Sequence, residues 1–575
     1  MKKNNINKAL ILRLCLIILT VIPFSSCTRD DDESITETGR YSSDAVESYE
    51  DLFTVFWSVM DNEYNYFYEE KERSGLDWDN VYAEYLPKFK ALKTMKDREN
   101  YSNDEILKEA NLERSYFKDI VNRISDKHFI LQVDLPATRT EDNTEFFFVG
   151  KGKESPLYYN KVTTMNFMRA SKLDNPYVYR KPNTNFRVLG GRLSSNPEIY
   201  YFSLSQFSMN SFDIHLQDKD NFLFKDIGTE GIFDRSQIEQ NEYLNSIEND
   251  VLKQYIMDWA FDIYNNWNEA LTTTLQSDVL TNEIEKFQNT EVVTDALYNE
   301  TWRLQDIIDQ LPATIIETLQ SRFNNGEASM LDRMLVGDEN ALNFAYAFDD
   351  QIEKTKISYN FDTYSHNIND INNAAELYRS FYNPLRSGDI KKLIIDVRDN
   401  GGGDVIDMRD FVERFVSKEA LVGYQRTKEG NGRFNYTPWV PMYVKPHPFA
   451  IPNPIPIVVL ADYGSVSMAE MTTMALKSQE MVKFVGDYTH GGTAALGPGD
   501  ELNGGALNIT VANRLKFYMP LMATKDASGK VIEGIGVEPD VYVAPPTQEE
   551  RQDMKVNANH KDRAMEKAVE ELMKM

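Results

Sequence analysis

The chain has 575 residues, 42% of them hydrophobic, and a formal net charge of −28. This length exceeds one ordinary domain and the apolar content supplies sizeable cores, so wholesale disorder is excluded. Such an acidic chain is a poor match to polyphosphate, which argues against nucleic acid as a partner and against docking on anionic lipid headgroups.

Lys2, Lys3, Lys8 and Arg13 flank the start of the apolar run "ALILRLCLIILTVIPF". That run is too short, and too closely followed by charge, for a membrane span. It ends at "FSSC", where small residues precede Cys27. The arrangement resembles a bacterial lipoprotein signal, which implies a leader over 1–26, cleavage before Cys27 and acylation of that cysteine. The acidic stretch "TRDDDESITETG" then reads as a solvated tether over 27–45, and resembles the surface-export signal of Bacteroidota lipoproteins. The expected location is the bacterial cell envelope, lipid-anchored at the outer membrane, with periplasmic and outward-facing orientations both open. With Cys15 in the leader and Cys27 lipidated, no internal disulfide is expected.

From Tyr49 to about Arg123 the pattern is helical, with Leu52, Phe56, Val59 and Tyr64 near one face, and predicts an N-terminal helical domain over 46–128. Residues 129–197 read as a small mixed region with "TEFFFVG" and "NPYVYR" as strands. "EIYYFSLSQF" is a further strand and opens a core expected over 198–545. Leu244, Ile247, Val251 and Tyr255, at three- and four-residue steps, predict a large helical insertion over about 236–323. "KKLIIDVRDNGGG" and "IPIVVLADYG" are apolar strands that run into glycine turns and then helical patterns, the alternation of an α/β core. Residues 546–575 predict a charged C-terminal helix.

Strand, glycine turn and helix is an arrangement that aims backbone N–H groups into a site. "NGGGD" supplies such a turn, and "GSVSMAEM" puts Ser467 at the second strand-to-helix junction. Taken alone, this stretch favours Ser467 as a buried capping serine over a nucleophile, which would need a base from elsewhere.

Together, "LIIDVRDNGGG", "VVLADYGSVSMAEM", "VKFVGDYTHGG" and "IEGIGVEPDVYV" resemble, in order and spacing from Lys391 to Val543, the tail-specific or C-terminal processing serine peptidases. The resemblance implies a crotonase/ClpP-like α/β core, Ser467 as the catalytic serine, and an oxyanion hole from the N–H groups of Gly402 (or Gly401) and Met468. It implies no cofactor, and peptide or protein as substrate. The chain departs from the better-known members at their lysine base, where the loop "THGGT" has Gly492. A Ser–Lys dyad is therefore excluded. "NRISDKHFILQV" resembles the D-G-H segment of lysine-lacking branches, among them PDZ-free Bacteroidota lipoproteins, and the tricorn-like set of the same superfamily. That likeness carries the base to His128 and an orienting carboxylate to Glu533. His490, in the loop that carries lysine elsewhere, is the alternative base. Imidazole titrates near neutrality and can shuttle a serine proton, and a carboxylate can hold it in orientation.

The remaining histidines (His215, His366, His447 and His560) have no ligand spacing, and neither H-x-x-x-H nor C-x-x-C occurs, so no metal site is expected. The expected protein is a lipid-anchored envelope serine hydrolase, a peptidase by resemblance. The alternative is a non-catalytic protein on the same fold that captures peptides or lipids.

Overall fold

Short apolar strands and well-capped helices build a mixed α/β molecule. The computed structural model describes residues 46–140, 142–150, 155–212, 214, 219–228, 234–428, 432–493, 506–520 and 522–575. The leader, Cys27 and the acidic tether lie outside the described residues.

In chain order the strands are β1 (Ile130–Pro136), β2 (Asn143–Val149), β3 (Leu173–Arg180), β4 (Arg187–Leu193), β5 (Asn196–Leu204), β6 (Lys392–Asp396) and β7 (Ala420–Thr427). There follow β8 (Val440–Val444), β9 (Ile457–Ala461), β10 (Val482–Gly486), β11 (Ala506–Val511), β12 (Leu515–Pro520), β13 (Met522–Asp526) and β14 (Val541–Tyr542). They form sheets of order β11-β12-β1-β2, β14-β10-β9-β6-β5-β4-β3 and β13-β7-β8.

The largest sheet is parallel from β14 to β5, and β4 and β3 extend it antiparallel. Every residue of β9 is buried, as expected of a parallel strand covered on both faces. Alternate residues feed two cores. Phe202, Leu393, Ile395 and Val459 face a large helical block, whereas Tyr201, Ile394, Val458 and Val485 meet Met168, Met565, Ala568 and Leu572 from the helices Lys161–Ser171 and Arg563–Leu572.

The N-terminal helices Tyr49–Glu63, Phe67–Ser74, Trp78–Lys90 and Asn103–Val121 do not close a core by themselves. Capping boxes at Ser48/Asp51 and Ser102/Glu105 start the first and last of them. Leu52, Phe56, Val59 and Tyr64 are all buried. Phe56 meets Phe117 edge-on at 5.1 Å and stacks on Phe517 of β12 at 6.1 Å. β12 in turn pairs antiparallel with β1, Ile130 opposite Tyr518. The expected small mixed region is therefore divided between two sheets: β1 and β2 close over the N-terminal helices, while β3 and β4 lengthen the main sheet.

The helical insertion runs further than the periodicity indicated, from Arg235 to Ser387. Val251 is 66% exposed and does not share a buried face with Leu244 and Ile247. The reason is a break in phase: a helix begins afresh at Asp250, capped by Asn249, and its buried stripe is Leu252, Ile256, Ala260, Ile263 and Trp267. The C-terminal segment also divides, into Gln548–Val556 and Arg563–Leu572, because Asp562 accepts the Met565 N–H and starts a new helix. No helix among the described residues is long and apolar enough to cross a membrane.

Candidate active site

Three chain segments meet at the C-terminal edge of β6, β9 and β10, where open parallel sheets hold their ligands. The exit of β9 leads to Ser467. Asp462 Oδ1 accepts the N–H groups of Gly464 (2.9 Å) and Asp399 (3.1 Å), and Ser465 Oγ donates to Val397 O (2.7 Å). The Val466 N–H donates to Asn400 O and the Ser467 N–H to Gly492 O, both at 2.9 Å. So tied, Ser467 is held at φ 56° and ψ −119°, outside the regions a side chain ordinarily allows. Strain of this kind marks a residue whose surroundings dictate its direction.

The helix Met468–Lys477 begins directly after Ser467. Among the described residues nothing accepts the Met468 N–H, which lies at the positive end of the helix. Gly402 packs against this turn at φ 95°: a Cβ there would lie 2.7 Å from Ser467 Cβ and 3.0 Å from Met468 N. Only glycine fits. Its N–H donates to Asn400 Oδ1 at 2.9 Å, so in this conformation the Gly402 amide is committed to a side chain, unlike that of Met468.

Glu470 locks the turn to the loop after β10. Its buried carboxylate accepts from Thr489 Oγ1 (2.5 Å) and from the N–H groups of Gly491 (2.7 Å), Gly492 (2.8 Å) and Ser467 (3.1 Å). Burial raises its pKa, opposed by these four donors. Sequence reading passed over this residue, although Ser467 and Glu470 have the S-x-x-E spacing of a capping box. Asp126, two residues before His128 in the same segment, is also fully buried.

His128 arrives on the short link between the helix Asn103–Val121 and β1. Its N–H donates to Asp126 Oδ1 at 2.8 Å. The ring sits against Gly492: a Cβ at 492 would lie 3.1 Å from His128 Cε1, 3.2 Å from Val466 Cγ1 and 3.4 Å from His490 Cδ2. A ring nitrogen of His128 and one carboxylate oxygen each of Asp126 and Glu533 all lie within 4.8 Å of one another. Burial pushes the imidazole down to about 4, and pushes Asp126 up to about 7 against the N–H bonds it receives from His128 and Phe129. Glu533 is buried, with Oε2 accepting the Thr493 N–H at 3.0 Å and its carbonyl accepting from Arg73. Gly534 N–H donates to Gly491 O at 2.7 Å and pins this segment to the same loop.

His490 also flanks Gly492, but its Nδ1 lies 3.3 Å from Tyr463 O and its ring packs on that of Tyr463 at 4.9 Å. Ser467, Met468, Gly402, His128, His490 and Glu533 are thus brought to one place. No hydrogen bond joins Ser467 Oγ to His128 among the described residues; the link between them runs through Gly492.

A half-buried serine on a strained strand-to-helix turn, with an unpaired helix N–H and an imidazole close by, has the parts of an acyl-transfer centre. Residues 363–543 match Peptidase family S41. That segment carries the Ser467 turn and the glycine loops, and marks a serine-peptidase region in the C-terminal part of the chain. No curated protein matches it. Among solved structures it is similar to a candidate peptidase from Parabacteroides merdae, at 16% identity over 92% of this chain and 98% of that one, with TM-score 0.45. It is also similar to mature CPAF (10% identity, 92% and 98% covered, TM-score 0.37) and to the tricorn protease (22%, 36% and 16%, TM-score 0.22).

Proposed function

We propose that this chain is a lipid-anchored peptidase of the cell envelope, working through Ser467, His128 and Glu533 on a crotonase-like core. One observation supports the catalytic set: the His128 ring packs against Gly492, the position that by resemblance carries the family's lysine and whose carbonyl takes the Ser467 N–H. Ser467 Oγ attacks the carbonyl carbon of a peptide bond and passes its proton to His128. The carbonyl oxygen takes the negative charge beside the Met468 N–H, the helix terminus adding its partial positive charge. Gly402 N–H would join it on turning away from Asn400. Collapse of the intermediate breaks the C–N bond, and the leaving amine takes the proton from His128. Water, activated by the same imidazole, then hydrolyses the acyl-enzyme. Glu533 holds the ring in orientation. The acylated Cys27 and the acidic tether would keep this chemistry at the outer membrane.

The bond from Gly402 to Asn400 favours a second reading, a peptide- or lipid-binding protein whose oxyanion hole stays closed. A fluorophosphonate probe decides between them, because it needs both an activated hydroxyl and the oxyanion donors. The peptidase labels at Ser467, and His128→Ala lowers the labelling rate on the order of 10³-fold or more. Glu533→Gln lowers it less. A folded protein whose Ser467 stays unlabelled while it still binds peptides returns the second reading.

A further inference from the structure

The residues around His128 form a second kind of constellation, one that no spacing in the sequence discloses. Asp126, His128 and Glu533 come from two segments some four hundred residues apart, and each places one ligand-type atom within 4.8 Å of the other two. Asp126 has no solvent exposure, and its Oδ2 has no hydrogen-bond partner among the described residues. His128 Nδ1 is likewise buried without a partner. Burying polar atoms unpaired is costly, so such a pair in a cluster with a third carboxylate is poised for something that can bind them both.

We infer that Asp126, His128 and Glu533 are the protein ligands of a divalent transition-metal site of the zinc class, and that filling it takes the catalytic base out of service. Two carboxylates and one imidazole suit zinc in donor type, and three protein ligands leave a fourth position for water. Their formal charge of two negatives balances a divalent cation. Ligand atoms around tetrahedral zinc stand roughly 3.3 Å apart, so the three side chains need to close by about 1.5 Å at most. Asp126 and His128 are already coupled by the bond from the His128 N–H to Asp126 Oδ1, which leaves Oδ2 as the donor. The Thr493 N–H on Glu533 Oε2 orients the third ligand, as outer-shell donors do in metal sites.

The effect on catalysis follows from the two ring nitrogens. A base that accepts the Ser467 proton on Nε2 carries its own proton on Nδ1. Zinc on Nδ1 requires the other tautomer, with that proton moved to Nε2 through solvent. Nε2 then has no lone pair for the serine proton. This consequence rests on the peptidase reading; the binding itself does not.

Calorimetric titration of chelator-stripped Ser467→Ala protein with zinc chloride separates the two. The expected result is one zinc per chain. Asp126→Asn and His128→Ala each weaken it by more than the roughly 10–100-fold that outer-shell partners contribute, and the Asn variant keeps the side-chain shape so that fold is retained. Cobalt in place of zinc should give visible absorption bands of a low-coordinate ion, lost in the same variants. In the protein with Ser467 intact, zinc should slow fluorophosphonate labelling and a chelator should restore it. Absence of stoichiometric binding, equal affinity in the Asp126 and His128 variants, or bound zinc that leaves labelling unchanged would each overturn the inference. Failure of the peptidase reading shows separately, as an unlabelled Ser467 in the metal-free protein.

Discussion

Gly492 is the residue on which the site turns. Its φ lies outside the left-handed region, so alanine there meets no backbone strain; what it meets is His128 Cε1 at 3.1 Å and Val466 Cγ1 at 3.2 Å. The imidazole has to give by a few tenths of an ångström. Gly492→Ala should therefore leave the melting temperature nearly unchanged and lower the labelling rate of Ser467 roughly tenfold, since small misplacements of a catalytic group are expensive. Gly492→Lys should not recover a lysine base, because the histidine ring already fills that space. Labelling kinetics beside thermal melts check both, and an unaltered rate in the alanine variant would separate His128 from the chemistry. Position 492 was legible in the sequence as a missing lysine. The space it leaves was not, because a Cβ contact depends on a residue 364 positions earlier in the chain.

At the level of elements, the exits of β6 and β9 and the helix after Ser467 were readable from apolar runs ending in glycine. The phase break at Asn249 was not, because a helix restart and a continuing helix share the same three- and four-residue steps until the cap is seen. A second feature out of reach of periodicity is the charged joint between β6 and the last helix. Arg398 donates to both oxygens of Asp396 and to both of Asp562, at 2.7–3.2 Å, and Lys161 Nζ reaches Asp396 O at 3.0 Å. Burial works to raise Asp396, but Arg398 and Lys161 overcome it and hold the carboxyl well below the usual range. Asp562 also caps Arg563–Leu572. Asp562→Ala leaves Nη1 of a buried guanidinium without its carboxylate, although Asp396 still holds the other edge, and removes the cap, so it should cost about 3 kcal/mol in a denaturant titration. A change under about 1 kcal/mol would mean the joint is relaxed in solution.

For the whole molecule, the acidic composition has a consequence for pH that its surface charge alone does not convey. Burial pushes Asp407 up to about 7 against the N–H bonds from Met209 and Asn210, with Asp404 and Asp410 adding to the rise, and pushes Asp462 behind the nucleophile turn up to about 7 as well. A carboxyl whose folded pKa exceeds its unfolded value of about 4 gives stability that is full below that value and lost as pH rises through the folded pKa. Melting temperature should therefore fall as pH rises from about 5 to about 7.5, and level off above that. Asp407→Asn, which cannot ionise, should flatten that fall, and an equally steep fall in the variant would remove Asp407 as its cause. Differential scanning calorimetry at both pH values reads the effect.

The pairing of β1 with β12 sets an order of events in the life of the chain. The N-terminal helices share their core with Leu515, Phe517 and Met519, so the scaffold that aims His128 is complete only after residue 520 has been made. The histidine leaves the ribosome first and waits; the serine, the glycine loop and Glu533 follow near the end. Contacts of such sequence separation form late and slowly. A peptidase put together in this way is its own safety catch: until its last strands have been made and paired, the chain has no active site.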